Sequence, residues 1–323
     1  MRKVFRTAVF AILAAGLHLQ PALAQGQSTK PLKFIVPYSP GGLPDTVARI
    51  LAKYLPEELG QSVIVDNKPG ASGAIAAAAL AQSPADGDTM LITDGPLLAI
   101  YPLLVTRPAY DLANDFVPVS LVGKAPLFLA VHPSVKANNI DELVALAKKK
   151  PGALNYASSG VGSIHHLTAE AMKSELGIFL THIPFKGSSV AVPAMIGGQV
   201  DMVFSSPPSL MGFVKTGQAK LIAINSVKRS PLAPDVPALA EKIKGFDFAF
   251  NVAALARKGS PAPALERVSA AIAKVVRKPE VIEQLRTAGV EPVGSSPAEL
   301  QQALASEGTR VRAAAKRANL KAE

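Results

Sequence analysis

Two segments of this chain set an aromatic residue and small residues where an apolar run gives way to a helix-like pattern. They are Ile35-Val36-Pro37-Tyr38-Ser39-Pro40-Gly41-Gly42 and His182-Ile183-Pro184-Phe185-Lys186-Gly187-Ser188-Ser189. The second reads as an altered copy of the first. Glycine leaves the backbone N–H groups of such a junction unobstructed, and a helix starting there presents its positive dipole end. The chemistry on offer is binding of a carboxylate or phosphate. Tight turns alone also call for glycine, so it is the duplication that favours a binding role. A third junction, Ser158-Ser159-Gly160-Val161-Gly162-Ser163, has the same character. Ser163 and Ser188 are suited both to capping a helix and to lining a pocket. Lys186 would add a full positive charge beside the second turn.

Other chemistries find little support. No G-x-S-x-G elbow accompanies these serines, and the glycine-rich loops lack the GKS or GKT ending of a nucleotide P-loop. His165 and His166 are adjacent, so on a helix they diverge by about 100° and cannot share a metal from one face. His166 reads better as a buried hydrogen-bonding residue. The chain contains no cysteine, which removes disulfides and thiolate metal sites. Asp45, Asp94, Asp201 and Asp235 are scattered, with no pair positioned for acid–base work. The expectation is a binding protein with no catalytic residue, metal or cofactor.

The elements that must position these junctions alternate. Strand-like runs at 33–37, 62–66 and 88–93 are separated by helical patterns at 44–59 and 72–82. A second series runs from 127 to 224, and helical patterns beginning near Pro263, Pro279 and Pro297 close the chain. Such alternation predicts parallel sheets covered by helices. In open parallel sheets, ligands bind outside the carboxyl ends of strands, at helix N-termini. The fold class expected is therefore α/β with two lobes and a ligand cleft between them. Lobe 1 is assigned to residues 30–124 together with 246–323, and lobe 2 to residues 125–245.

The N-terminus has the form of a secretory signal: Arg2, Lys3 and Arg6, an apolar run from Ala8 to Leu19, then Ala22-Leu23-Ala24 as a cleavage site. Residues 1–24 are read as a signal peptide and the location as the periplasm. The formal net charge is +10, without a basic stripe interleaved with aromatics, and there is no tryptophan. Nucleic acid is not an expected partner, whereas a small anionic ligand is.

Several ordered segments resemble the solute receptors of the tripartite tricarboxylate transporters, often called Bug receptors. They include KFIVPYSPGGLPDTVAR, LGQSVIVDNKPGASGAIAA, KKPGALNYASSGVGSIHHLTAE and HIPFKGSSVAVPAMIGGQVDMVF, and the resemblance runs from about Lys30 to the C-terminus. It implies a two-lobe periplasmic binding-protein fold of type II-like form, closing on a small carboxylate. The receptor would deliver that ligand, as a monomer, to separate membrane permease subunits. The implied first-lobe contacts are Tyr38, Pro40, Gly41, Gly42, Leu43, Asp45 and Thr93. The implied second-lobe contacts are Ser158, Gly162, Ser163, Lys186, Gly187 and Ser205.

The chain departs from the family pattern at Pro44, where a threonine is common, and at Ser205-Ser206, where many members carry Asp-Asn. Asn251-Val252-Ala253 replaces a usual aromatic segment. With Ser205 in place of an aspartate, a plain carboxylic or dicarboxylic acid is expected in preference to an amino acid, whose buried ammonium would need a counter-charge. Two rival readings stay open on sequence alone: a ligand-sensing receptor for a signalling partner, and a secreted hydrolase using a serine of the 158–163 loop.

Overall fold

The computed structural model describes residues 30–95 and 110–317; the segment read as a signal peptide lies outside them. Two sheets organise the described residues. In the first, β1 (Leu32–Val36) pairs in parallel with β2 (Val63–Asn67) and β3 (Thr89–Asp94). Next to β3 lie β10 (Phe250–Arg257), then β4 (Phe116–Ala125) and the short β11 (Glu291–Pro292), all antiparallel to their neighbours. In the second sheet β6 (Asn155–Ser158) lies parallel to β7 (Thr181–Pro184) and β8 (Met202–Ser205). There β5 (Phe128–Val131) runs antiparallel to both β8 and β9 (Lys220–Ile224). The parallel pairing expected from the alternation holds for β1–β2, β1–β3, β6–β7 and β6–β8, and the antiparallel pairs make both sheets mixed. Two of the antiparallel members, β5 and β10, are the strands by which the chain enters the second sheet and returns to the first.

Period-two burial explains why these strands are interior. Phe250, Val252, Ala254 and Ala256 of β10 face one apolar cluster, while Ala253 and Leu255 face another. A strand with both faces covered reads as a continuous apolar run. Helix α1 (Leu43–Leu59) buries Val47, Ala48, Leu51, Leu55 and Leu59 along one stripe. It begins at Gly42 in extended conformation, carries Pro44 in its first turn, and stops at Gly60, whose φ of 62° closes the helix with an N–H bond to the Pro56 carbonyl. The expected helix at 72–82 forms as a 3₁₀ turn, Ala71–Gly73, followed by α2 (Ala74–Ala81).

Helix α3 (Leu112–Asp115) leads into β4, and α4 (Ile140–Lys149), α5 (Ile164–Leu176), α6 (Ser188–Ile196) and α7 (Pro207–Lys215) accompany the second sheet. Helices α8 (Ala262–Val275), α9 (Pro279–Thr287) and α10 (Pro297–Arg317) follow the return strand. Val311 and Ala315 of α10 pack on Leu167 of α5, so the last helix touches an element of the other sheet. The sheets are joined at Pro126-Leu127 and by the segment 225–249. Asn225 knots these crossings together: its side chain accepts from Leu127 N at 2.7 Å and donates to the Phe248 carbonyl at 2.9 Å.

Candidate functional site

The two related turns end up facing one another. The first lies between β1 and α1, the second between β7 and α6. Ser39 Oγ donates to the Lys186 carbonyl at 3.2 Å, and Ser209 Oγ, on α7, donates to the Gly41 carbonyl at 3.1 Å. A side-chain carbon added at Gly187, where φ is 143°, would stand 3.4 Å from Ser39 N. Glycine there allows the close approach of one lobe's turn to the other's.

Between the lobes the space divides in two. The outer part, about 270 Å³, is bordered by Pro37, Gly70, Ala71 and Gly73 on one side and by Gly160, Val161, Phe185 and Lys186 on the other. The inner part, about 10 Å³, is walled by Gly42, Leu43, Pro44, Asp94 and Phe250, facing His165, Ser188 and Ser206. Tyr38 and Ser159 line both. Only about one water fits the inner part, so the lobes are closed onto each other here.

The inner wall is polar in a patterned way. The first N–H groups of a helix have no intrahelical acceptor, and Gly42 and Leu43 bring those of α1 to the cavity. Opposite them, Ser206 is 1% exposed and its hydroxyl has no hydrogen-bond partner among the described residues; neighbouring Ser205 is in the same state. A buried hydroxyl left so is costly and rare. The Tyr38 hydroxyl donates to Asp94 Oδ2 at 2.5 Å, and burial, reinforced by that carboxylate, raises the phenol's pKa well above its ordinary value. His165 Nδ1 lies 2.5 Å from Ser159 Oγ, and burial lowers its pKa to about 4, leaving a neutral ring at pH 7. This pair has the spacing of a nucleophile and base. Among the described residues, however, no group orients the other ring nitrogen, as a catalytic triad requires.

Asp45, one of the ligand contacts expected from the sequence, is engaged within its own lobe. It is 2% exposed and accepts from Gly41 N at 2.9 Å, Arg49 Nε at 2.9 Å and Asn67 Nδ2 at 2.9 Å. Burial raises its carboxyl pKa, but the bonds from Arg49, Gly41 and Asn67 outweigh that and hold it below the ordinary value. Asn67 Nδ2 also donates to the Tyr38 carbonyl at 3.0 Å. The aspartate therefore braces the first turn from behind. Pro40, Gly41 and Asp45 border an outer groove with Arg49 and Lys53 rather than the space between the lobes.

Of the other residues singled out in the sequence, Tyr38, Gly42 and Leu43 reach the inner cavity and Lys186 stands exposed at its mouth. Thr93 is fully buried, its hydroxyl donating to the Asp94 carbonyl at 3.3 Å. Ser158 Oγ pairs with His182 Nε2 at 2.6 Å, Gly162 N donates to His166 Nδ1 at 3.0 Å, and Ser163 caps α5 by accepting from His166 N at 3.3 Å. The last three hold their loop in shape, and none of the four lines either space. The His166 ring stacks on His182, centroids 4.0 Å apart, the buried hydrogen-bonding place expected of it. Ser159, His165, Ser188 and Ser206 line the inner cavity instead. The run of serines in the sequence pointed to the loop, but not to which serine faces inward. Asp94 also alters the argument against amino acids, because a carboxylate stands in the wall even with Ser205 in place of aspartate.

Comparison with known proteins identifies what this architecture belongs to. The model of the "Tripartite tricarboxylate transporter family receptor" family matches residues 47–320. Protein BugT of Bordetella pertussis is 34% identical over 301 residues, covering 92% of this chain and 91% of that protein. Among solved structures, R. palustris Rpa4515 with adipate aligns with a TM-score of 0.89 at 31% identity, covering 92% of this chain and 100% of the other. MatC (Rpa3494) from Rhodopseudomonas palustris with bound malate aligns with a TM-score of 0.83 at 26% identity, covering 89% and 99%. These are solute-binding proteins of two lobes and not enzymes. The chain belongs to the tripartite tricarboxylate transporter receptor family, as a Bug-type solute receptor.

Proposed function

We propose that this receptor captures a small organic carboxylate between its lobes in the periplasm and presents it, as a monomer, to the membrane subunits of a tripartite permease. One observation carries the reading. At the inner cavity the N–H groups of Gly42 and Leu43 at the start of α1 face the buried Ser206 hydroxyl, which has no hydrogen-bond partner among the described residues. A carboxylate oxygen accepts from both kinds of donor and gains the helix dipole as well. The adipate and malate held by the two structural relatives are consistent with that ligand class. Export with cleavage after Ala24 accords with the basic and apolar N-terminus.

In the closed arrangement the inner cavity is too small for any dicarboxylate, so the lobes must part to admit one and close to a wider separation around it. Native mass spectrometry of the exported protein tests the proposal. The expected spectrum shows the chain starting at Gln25, with a carboxylic acid of low mass that dissociates unchanged. A covalently altered adduct, or turnover of added carboxylate esters, would favour the Ser159–His165 pair as a catalyst and defeat the proposal.

A further inference from the structure

Where the chain crosses between its sheets there is a second cavity, of about 430 Å³, sharing no wall residue with the space between the lobes. Its size falls in the range of small-molecule sites. Pro126, Ile224, Leu232 and Val290 give it an apolar floor. Among the described residues its rim carries four cations, Lys124, Lys228, Arg229 and Arg286, against Glu291 alone. Two of these are already engaged: Arg286 pairs with Glu291 at 2.9 Å, and Arg229 with Glu241 at 2.7 Å. Lys124 and Lys228 are exposed and have no ion-pair partner among the described residues. Glu291 stands directly across the strand pair from Lys124, yet it is turned to Arg286. Exposed apolar side chains lie beside it in the chain, Val227 at 57% next to Lys228 and Val293 at 38% two residues after Glu291.

An apolar floor under two unpaired ammonium groups matches an anion with a hydrophobic body. Carboxylates without one would gain little from the floor, and uncharged apolar molecules would leave the lysines unanswered. We propose that this cavity is a second binding site, for an amphipathic organic carboxylate or sulfonate. It also adjoins the hinge. Ile224 and Ser226 flank Asn225, whose bonds to Leu127 and Phe248 tie the two crossings. Walls formed by both crossings change their spacing when the lobes rotate, so an occupant favours one lobe arrangement over the other.

The probe for the test is 8-anilinonaphthalene-1-sulfonate, titrated by fluorescence into the full mature chain. One saturable site is expected, weakened about tenfold or more in Lys124→Glu/Lys228→Glu and unchanged in Gly42→Val, which alters the cleft only. Equal affinity in the double variant, or loss in Gly42→Val alone, would overturn the assignment. Should charge reversal lower the melting temperature, Lys124→Gln/Lys228→Gln gives the same comparison without added repulsion. Scattering at saturating probe then reads the hinge: a changed radius of gyration supports the linkage, and an unchanged one overturns it. None of these outcomes depends on carboxylate binding in the cleft.

Discussion

Replacing Asp45 separates a brace from a ligand contact. The carboxylate accepts from the Gly41 amide, from Arg49 and from Asn67, and it sits in the first turn of α1, where negative charge is favoured. Hydrogen bonds to a charged group contribute about 1.5–3 kcal/mol when buried. Arg49, however, is half exposed and can turn to water, so its share shrinks towards that of a surface pair. Asn67 keeps its bond to the Tyr38 carbonyl. The expected loss is therefore about 2–3 kcal/mol for Asp45→Ala, and about 1–2 kcal/mol for Asp45→Asn, which retains one acceptor.

Urea unfolding across a pH series measures this. Because the native carboxyl titrates below its ordinary value, its stabilisation is fully present above the unfolded pKa of about 3.9 and is lost as pH falls through the native one. The gap between wild type and Asp45→Asn should accordingly be constant near neutrality and shrink below about pH 4. Ligand affinity should fall in both variants, since Gly42 and Leu43 lose their anchor. A stability change under about 0.5 kcal/mol, or a gap that ignores pH, would refute the bracing role.

Further outcomes follow from the same geometry. Ser206→Ala should weaken carboxylate binding by roughly 10- to 150-fold, about 1.5–3 kcal/mol for one hydrogen bond to a charged acceptor, while leaving the melting temperature unchanged or higher; titration calorimetry with differential scanning reads both. Lys186→Ala should cost less than about fivefold, because an exposed ammonium is worth under about 1 kcal/mol, and a larger loss would move the ligand outward to the mouth. His165, His166 and His182 have pKa values lowered to about 4, about 4 and about 3, chiefly by burial. Their neutral burial stabilises the fold fully above the ordinary value of about 6.5 and loses that contribution as pH falls towards those values. Wild-type stability should decline between about pH 6.5 and 4, and His182→Gln should flatten that slope.

The turns that build the site were legible because their composition is local: glycine, proline and an aromatic at a strand–helix junction, twice over. Their meeting across the cleft was implied by the repeat. What stayed hidden depends on direction. In the loop 158–163, alternate serines face opposite ways, so Ser159 reaches the cavity while Ser158 turns to His182, and spacing alone does not choose between them. Asp45 belonged to the turn motif, yet only the folded chain brings Asn67 and Gly41 to its oxygens. Strand β4 escaped notice because Pro118 and Gly123 interrupt its apolar run, although Val119, Leu121 and Val122 are buried. The antiparallel insertion of β10 between β3 and β4 is a long-range pairing with no local signature.

The most direct test of carboxylate capture at the α1 N-terminus is titration calorimetry of the wild type and Gly42→Val against a panel of aliphatic and aromatic mono- and dicarboxylates. Gly42 has an extended backbone that any residue can adopt, and an added carbon would lie 3.6 Å from Ser188 Oγ, so the variant should fold while its branches occupy the anion's place. The account predicts that at least one carboxylate binds the wild type with one-to-one stoichiometry and binds Gly42→Val about 10- to 150-fold more weakly, the worth of one charge-assisted hydrogen bond. Carboxylate binding of equal strength in the two proteins would contradict it.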